Sequence, residues 1–163
     1  ITTPRPYHEI IEIGLILFHP TTFAVIDTLD VKVKPVRMHL ASPEALKVNG
    51  YREEDWVHAV PLGEAMERYA ALTKDSVFWA WNATFDWSFI SNAFSEVGVA
   101  NQMDYRRFDL MSAAYRELKK RELKPSFKQS FVAELLGVPK EPEVHRAING
   151  ANVAYQIYQK LMG

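Results

Sequence analysis

No cysteine occurs among the 163 residues, so no disulfide braces the chain and no thiolate serves as nucleophile or metal ligand; the redox compartment stays open. There is no apolar run long enough to cross a bilayer, no signal peptide, no repeat and no low-complexity tract, and a cytoplasmic protein without a membrane partner is the expectation. Charge of neither sign is in excess: 19 Lys and Arg against 20 Asp and Glu leave a net charge of -1. No general field therefore draws the chain to a polyanion, and any nucleic-acid contact must come from a local feature. What is present, 48% apolar and 24% charged residues, suits an ordinary globular protein with one core, and a single domain over residues 1–163 is expected.

Ile1 to Tyr7 is a turn-rich lead-in that does not begin with methionine. His8 to His19 (HEIIEIGLILFH) is β-branched and apolar enough for a central strand. Phe23 to Lys34 (FAVIDTLDVKVK) alternates as its antiparallel partner across the turn Pro20-Thr21-Thr22. Residues 42–61 give two short helices broken at Asn49-Gly50, the first opened by Ser42, Pro43 and Glu44. An amphipathic helix follows over 62–73, then an apolar strand over 77–81, a helix over 85–97 stopped by Gly98 and a short strand within 104–109. Helices over 110–120, 127–136 and 144–162 complete the chain. Antiparallel strands first, and alternating strands and helices afterwards, predict an α/β fold with a mixed sheet flanked by helices.

The stretch around which the rest is organised is Trp79 to Phe89 (WAWNATFDWSF). Phe85, Phe89, Ile90, Ala93, Phe94 and Val97 form a helical stripe, which puts Asp86 in the first turn of a helix at the carboxyl end of a strand. Open α/β sheets place their ligands there. Taken alone, Asp86 simply suits the positive end of a helix, and His145 near a helix start reads as a cap or surface residue.

Together these residues say more. Asn82-x-x-Phe85-Asp86 and His145-Arg146-Ala147-Ile148-Asn149-Gly150-Ala151, with HEIIEIG, SPEALKVNG and FDWSFI, stand in one order along the chain. Over essentially its whole length the chain resembles the DEDDh 3′-to-5′ exonucleases, the family of the bacterial polymerase proofreading subunit and oligoribonuclease. The resemblance implies a ribonuclease H-like fold, four carboxylates holding two divalent ions (Mg²⁺ or Mn²⁺), and a histidine general base. It implies a hydrolase acting on phosphodiester bonds at the 3′ ends of single-stranded DNA or RNA. In such chemistry one ion activates water while a second, about 3.5 to 4 Å away, stabilises the leaving oxygen, so several carboxylates must converge. An imidazole, with an ordinary pKa of about 6.5, takes the proton of the water near neutral pH. By the resemblance Asp86 is a catalytic metal ligand and His145 the catalytic base. Asn49, Asn82 and Phe85 belong to the nucleic-acid-binding surface, the last two also shaping the strand-helix junction.

Two positions depart from the family pattern. Its last aspartate falls five residues after the histidine, where this chain has Gly150, and Asn149 beside it is not acidic. Its opening Asp-x-Glu ends a first, central strand, just ahead of a lead-in like Ile1-Thr2-Thr3-Pro4. Glu9 and Glu12, or Asp27 and Asp30, are no replacements: each pair is three apart, which in a strand points the two side chains to opposite faces, whereas a metal pair shares one face at spacing two. The expectation is that a central strand of about ten residues ending in Asp-x-Glu lies upstream. Without it, the strands at 8–19 and 77–81 are left with unpaired backbone groups. The two-metal site of this chain is then incomplete. A second function stays open beside the hydrolase, a catalytically impaired pseudonuclease that binds nucleic-acid ends or a protein partner. Trp56, Trp79, Trp81 and Trp87 and the basic run Arg116 to Arg121 are further candidates for bases and phosphates, against the plainer readings of core packing and a solvated helix end.

Overall fold

The first two strands, β1 (Glu12–Phe18) and β2 (Val25–Lys32), pair antiparallel with Leu15 opposite Leu29, and the register shifts between Leu17 and Phe18. Just past β2, Val33 bridges Val60 in parallel, which covers the outer edge of the hairpin near its end. The other two strands, β3 (Phe78–Ala80) and β4 (Arg107–Asp109), pair in parallel. This computed structural model describes residues 8–142 and 144–163; the expected lead-in over Ile1 to Tyr7 lies outside them. Antiparallel pairing followed by parallel pairing is the expected order. Among the described residues the four strands of this mixed α/β fold form two two-stranded sheets. Both long strands are also shorter than their apolar runs, because a ladder extends only where a partner supplies hydrogen bonds.

Among the described residues six α-helices surround the strands: α1 (Pro43–Val48), α2 (Leu62–Thr73), α3 (Ala83–Val97), α4 (Leu110–Lys120), α5 (Gln129–Leu135) and α6 (Ala147–Met162). The Ser42 hydroxyl accepts the Ala45 amide and caps α1, as its sequence predicts. Helices α2 and α4 occupy the ranges their apolar periods set, α5 begins at Gln129 and not at 127, and two further starts are corrected. Asn82 adopts a left-handed conformation (φ 60°, ψ 58°) that turns the chain sharply out of β3, so α3 begins at Ala83, ahead of position 85. Arg146 is extended (φ -123°, ψ 139°), so α6 begins at Ala147 and His145 stands before the helix, not within it.

Two apolar clusters hold the layers together. Ile13, Leu29, Met66, Tyr69, Phe78, Ile90 and Phe94 join the hairpin to α2 and α3. Leu118, Val132 and Ile157 join α4, α5 and α6. The tryptophans pack, for the most part, rather than offer open faces. Trp56 is buried and donates its indole N–H to the Ile11 carbonyl at 2.9 Å. Trp79 stacks on Phe108 with centroids 3.8 Å apart, and the Arg107 guanidinium covers Trp87 at 3.4 Å. In the basic run, Arg121 pairs with Glu117 and donates to the Leu161 carbonyl, tying the end of α4 to the end of α6. No helix among the described residues is long and apolar enough to cross a membrane.

Candidate active site

The run Gly14 to Phe18 is apolar on both faces, the pattern of an interior strand, yet in β1 only Ile13 is fully buried. The register accounts for this. The Val33 amide donates to the Ile11 carbonyl, and antiparallel alternation then turns the backbone groups of Glu12, Gly14 and Ile16 away from β2. Between this edge and β3 lies a cavity of about 730 Å³, walled by residues 9–18 on one side and 77–81 on the other. No described strand pairs with β1 on that side.

Asp86 and His145 line this one cavity, together with Asn49, Phe85 and Gly150. Asp86 is in the first turn of α3. Burial raises its carboxyl to about 6, while a local backbone hydrogen bond and the charge of His145 pull the other way. Tyr69 is a buried phenol in the same wall; burial first, and then the nearby Asp86 charge, hold its pKa well above the ordinary value. Phe85 is 40% exposed, with its ring 5.1 Å from that of Phe89. Asn49 contributes a backbone carbonyl that accepts from Arg146 Nη1 at 3.1 Å. Asn82 is outside the lining residues, at the turn into α3. Asp109, which the sequence reading did not single out, ties that turn to β4: its carboxylate accepts the Ala83 amide at 3.0 Å and also caps α4 through the Ser112 amide.

The segment bearing His145 is fixed from several directions. Glu12 Oε2 accepts the Ala147 amide at 3.0 Å, an anion placed at the positive start of α6. A Cβ at Gly14 would lie 2.1 Å from the Ile148 nitrogen, so only glycine lets α6 cross β1 this closely. Arg146 reaches Asp55 at 3.6 Å and lies over the Trp56 ring. His145 Nδ1 stands 2.8 Å from Glu141 Oε1. Sequence spacing carried no signal for the contact of Glu12 with Ala147 or of Asp109 with Ala83, whose partners are distant in the chain, nor for Glu141 in its irregular segment.

The other acidic residues considered from the sequence have structural work. Glu9 lies ahead of β1 and accepts the amides of Val36 and Arg37, and Asp27 accepts the amide of Thr28 on exposed β2. Among the described residues no group of three or more His, Asp and Glu gathers to hold a metal ion, and Gly150 has no ligand atom to give.

Comparisons with known proteins agree with this architecture. One similar solved structure concerns 3′-end specific recognition of a histone mRNA stem-loop by a 3′-exonuclease, with TM-score 0.71 and 16% identity over 98% of this chain and 58% of that one. A full-length 3′-exonuclease gives 0.71 and 16% over 98% of this chain and 55% of that one. The nuclease domain of 3′hExo, a DEDDh family member, bound to rAMP, gives 0.69 and 15% over 96% and 82%. The chain thus spans 58% and 55% of the lengths of the first two, and at these identities the likeness establishes the ribonuclease H-like exonuclease fold. No curated protein matches the sequence. The family model for exonucleases, RNase_T, matches residues 1–158, and by that match the chain belongs to this exonuclease family.

Proposed function

We propose that the chain acts at the 3′ end of a single-stranded nucleic acid, DNA or RNA, and removes nucleotides in the 3′-to-5′ direction by hydrolysing the terminal phosphodiester. The observation that carries this reading is that Asp86 and His145 wall one cavity. Its volume, about 730 Å³, falls in the range of small-ligand sites, and the exposed ring of Phe85 offers a face for a base. The neighbours that recognise a histone mRNA 3′ end and bind rAMP support a terminal nucleotide as the ligand.

In this reaction His145 takes a proton from water as the water oxygen attacks phosphorus. The bond from phosphorus to the 3′ oxygen of the preceding nucleotide breaks, and that oxygen takes up a proton from solvent. Bound Mg²⁺ or Mn²⁺ would neutralise charge at the phosphate, with Asp86 among its ligands. The described residues do not fit two such ions by themselves.

A second reading, binding of nucleic-acid ends without cutting, is favoured by the same shortage of carboxylates, since fewer anions repel phosphate less. A 5′-labelled single-stranded oligonucleotide incubated with and without Mn²⁺ separates the two. Stepwise shortening from the 3′ end is expected. Retention without shortening selects the second reading, and neither retention nor shortening discards both.

A further inference from the structure

Gly150 opens a space beside His145, and a carboxylate from elsewhere in the chain stands in it. A Cβ built at Gly150 would meet His145 Cε1 at 3.5 Å and Glu141 Oε1 at 3.9 Å, both ordinary contacts. Glu141 belongs to the irregular segment between α5 and α6. Its side chain is 22% exposed and its Oε1 lies 2.8 Å from His145 Nδ1. That oxygen is buried and finds no aligned hydrogen bond among the described residues. The imidazole side chain is 50% exposed, which leaves the ring room to turn its N–H toward that oxygen.

We propose that Glu141 is the positioning residue of His145: its carboxylate keeps a proton on Nδ1, fixes the ring plane, and leaves Nε2 as the nitrogen that accepts a proton. An imidazole whose Nδ1–H is held by a carboxylate has its tautomer set by that bond and not by chance. The proposal deepens the hydrolytic reading above and rests on it for the role of Nε2, but the pairing itself exists without substrate. Gly150 completes the arrangement, because a longer side chain there would crowd the carboxylate away from the ring.

The test reads the tautomer directly. Two-bond ¹H–¹⁵N correlation spectra of the whole chain are recorded in EDTA at alkaline pH, where the imidazole is neutral. His145 in the unaltered protein is expected in the Nδ1–H form, and Glu141→Ala shifts it toward Nε2–H, whereas Glu141→Asp, retaining a carboxylate, preserves more of the Nδ1–H form. Where cleavage is measured, Glu141→Ala lowers kcat by about 10-fold to 100-fold, the usual loss when an imidazole loses its orienting partner, with KM little changed. An Nε2–H tautomer in the unaltered protein, or no change in Glu141→Ala, overturns the proposal. Absence of cleavage by the unaltered chain counts against the hydrolytic reading alone, because the tautomer is read without substrate.

Discussion

Asp86 is an acid held where its charged form is disfavoured. Its pKa rises from the ordinary 3.8 to about 6, chiefly through burial, a difference worth up to about 3 kcal/mol. The sign follows from proton counting. Between those two values the folded chain keeps a proton the unfolded chain has released, so stability falls as pH rises from 3.8 toward about 6 and then levels off. Asp86→Asn in metal-free buffer is expected to be more stable than the unaltered chain by about 1 to 3 kcal/mol at pH 7 to 8 and nearly equal near pH 4. Urea titrations across this pH range check it; equal stabilities at pH 8 would show that the carboxylate pays no burial penalty. Gly150 makes a separate point. It lies within α6, and the nearest atoms to an added Cβ are at 3.5 Å and 3.9 Å, so Gly150→Ala should stabilise the fold by about 0.5 to 1 kcal/mol through helix propensity. Thermal unfolding reads this as a higher Tm, and a lower one would mean that the methyl group is not accommodated.

Among the elements, the contact of β1 with α6 decides where His145 stands. Glu12 holds the first amide of α6 and Gly14 lets the helix pass. Gly14→Ala forces backbone to move and is expected to cost about 1 to 3 kcal/mol. It should weaken oligonucleotide retention at the same time, because the segment before α6 shifts with it. Denaturant melts and retention assays check the two together, and unchanged retention would separate His145 from this contact.

At this same scale the sequence was readable in part. The periods of α2 and α4 marked both helices, and the helical stripe from Phe85 marked the placement of Asp86. The start of α3 was missed because Asn82 accomplishes the turn through its backbone, a φ of 60° that no side-chain period reveals. The start of α6 was missed because Arg146 is held extended by tertiary contacts to Asn49 and Asp55. Pairings of that kind arise only once the chain is folded.

For the whole molecule the break between the two sheets is the governing feature. Among the described residues it appears as the cavity between β1 and β3. A strand seated there would pair the edges that β1 and β3 leave open among the described residues. Hydrogen exchange tests this: the amides of Glu12, Gly14 and Ile16 should exchange rapidly in the chain as it stands. In a protein extended at its amino end by an apolar strand bearing Asp-x-Glu they should be protected by about a hundredfold or more, as expected for ladder amides worth about 3 kcal/mol of local opening. Equal exchange in both would mean that the strand does not seat in the cavity.

The central claim is that Asp86 and His145 face one cleft that receives a terminal nucleotide. A titration of the isotope-labelled chain with adenosine 5′-monophosphate, followed at the side-chain signals of Asp86, His145 and Phe85, tests it most directly. The account predicts that all three shift together along one binding curve. Shifts confined to other surfaces, or an Asp86 signal that stays still while His145 moves, would contradict it.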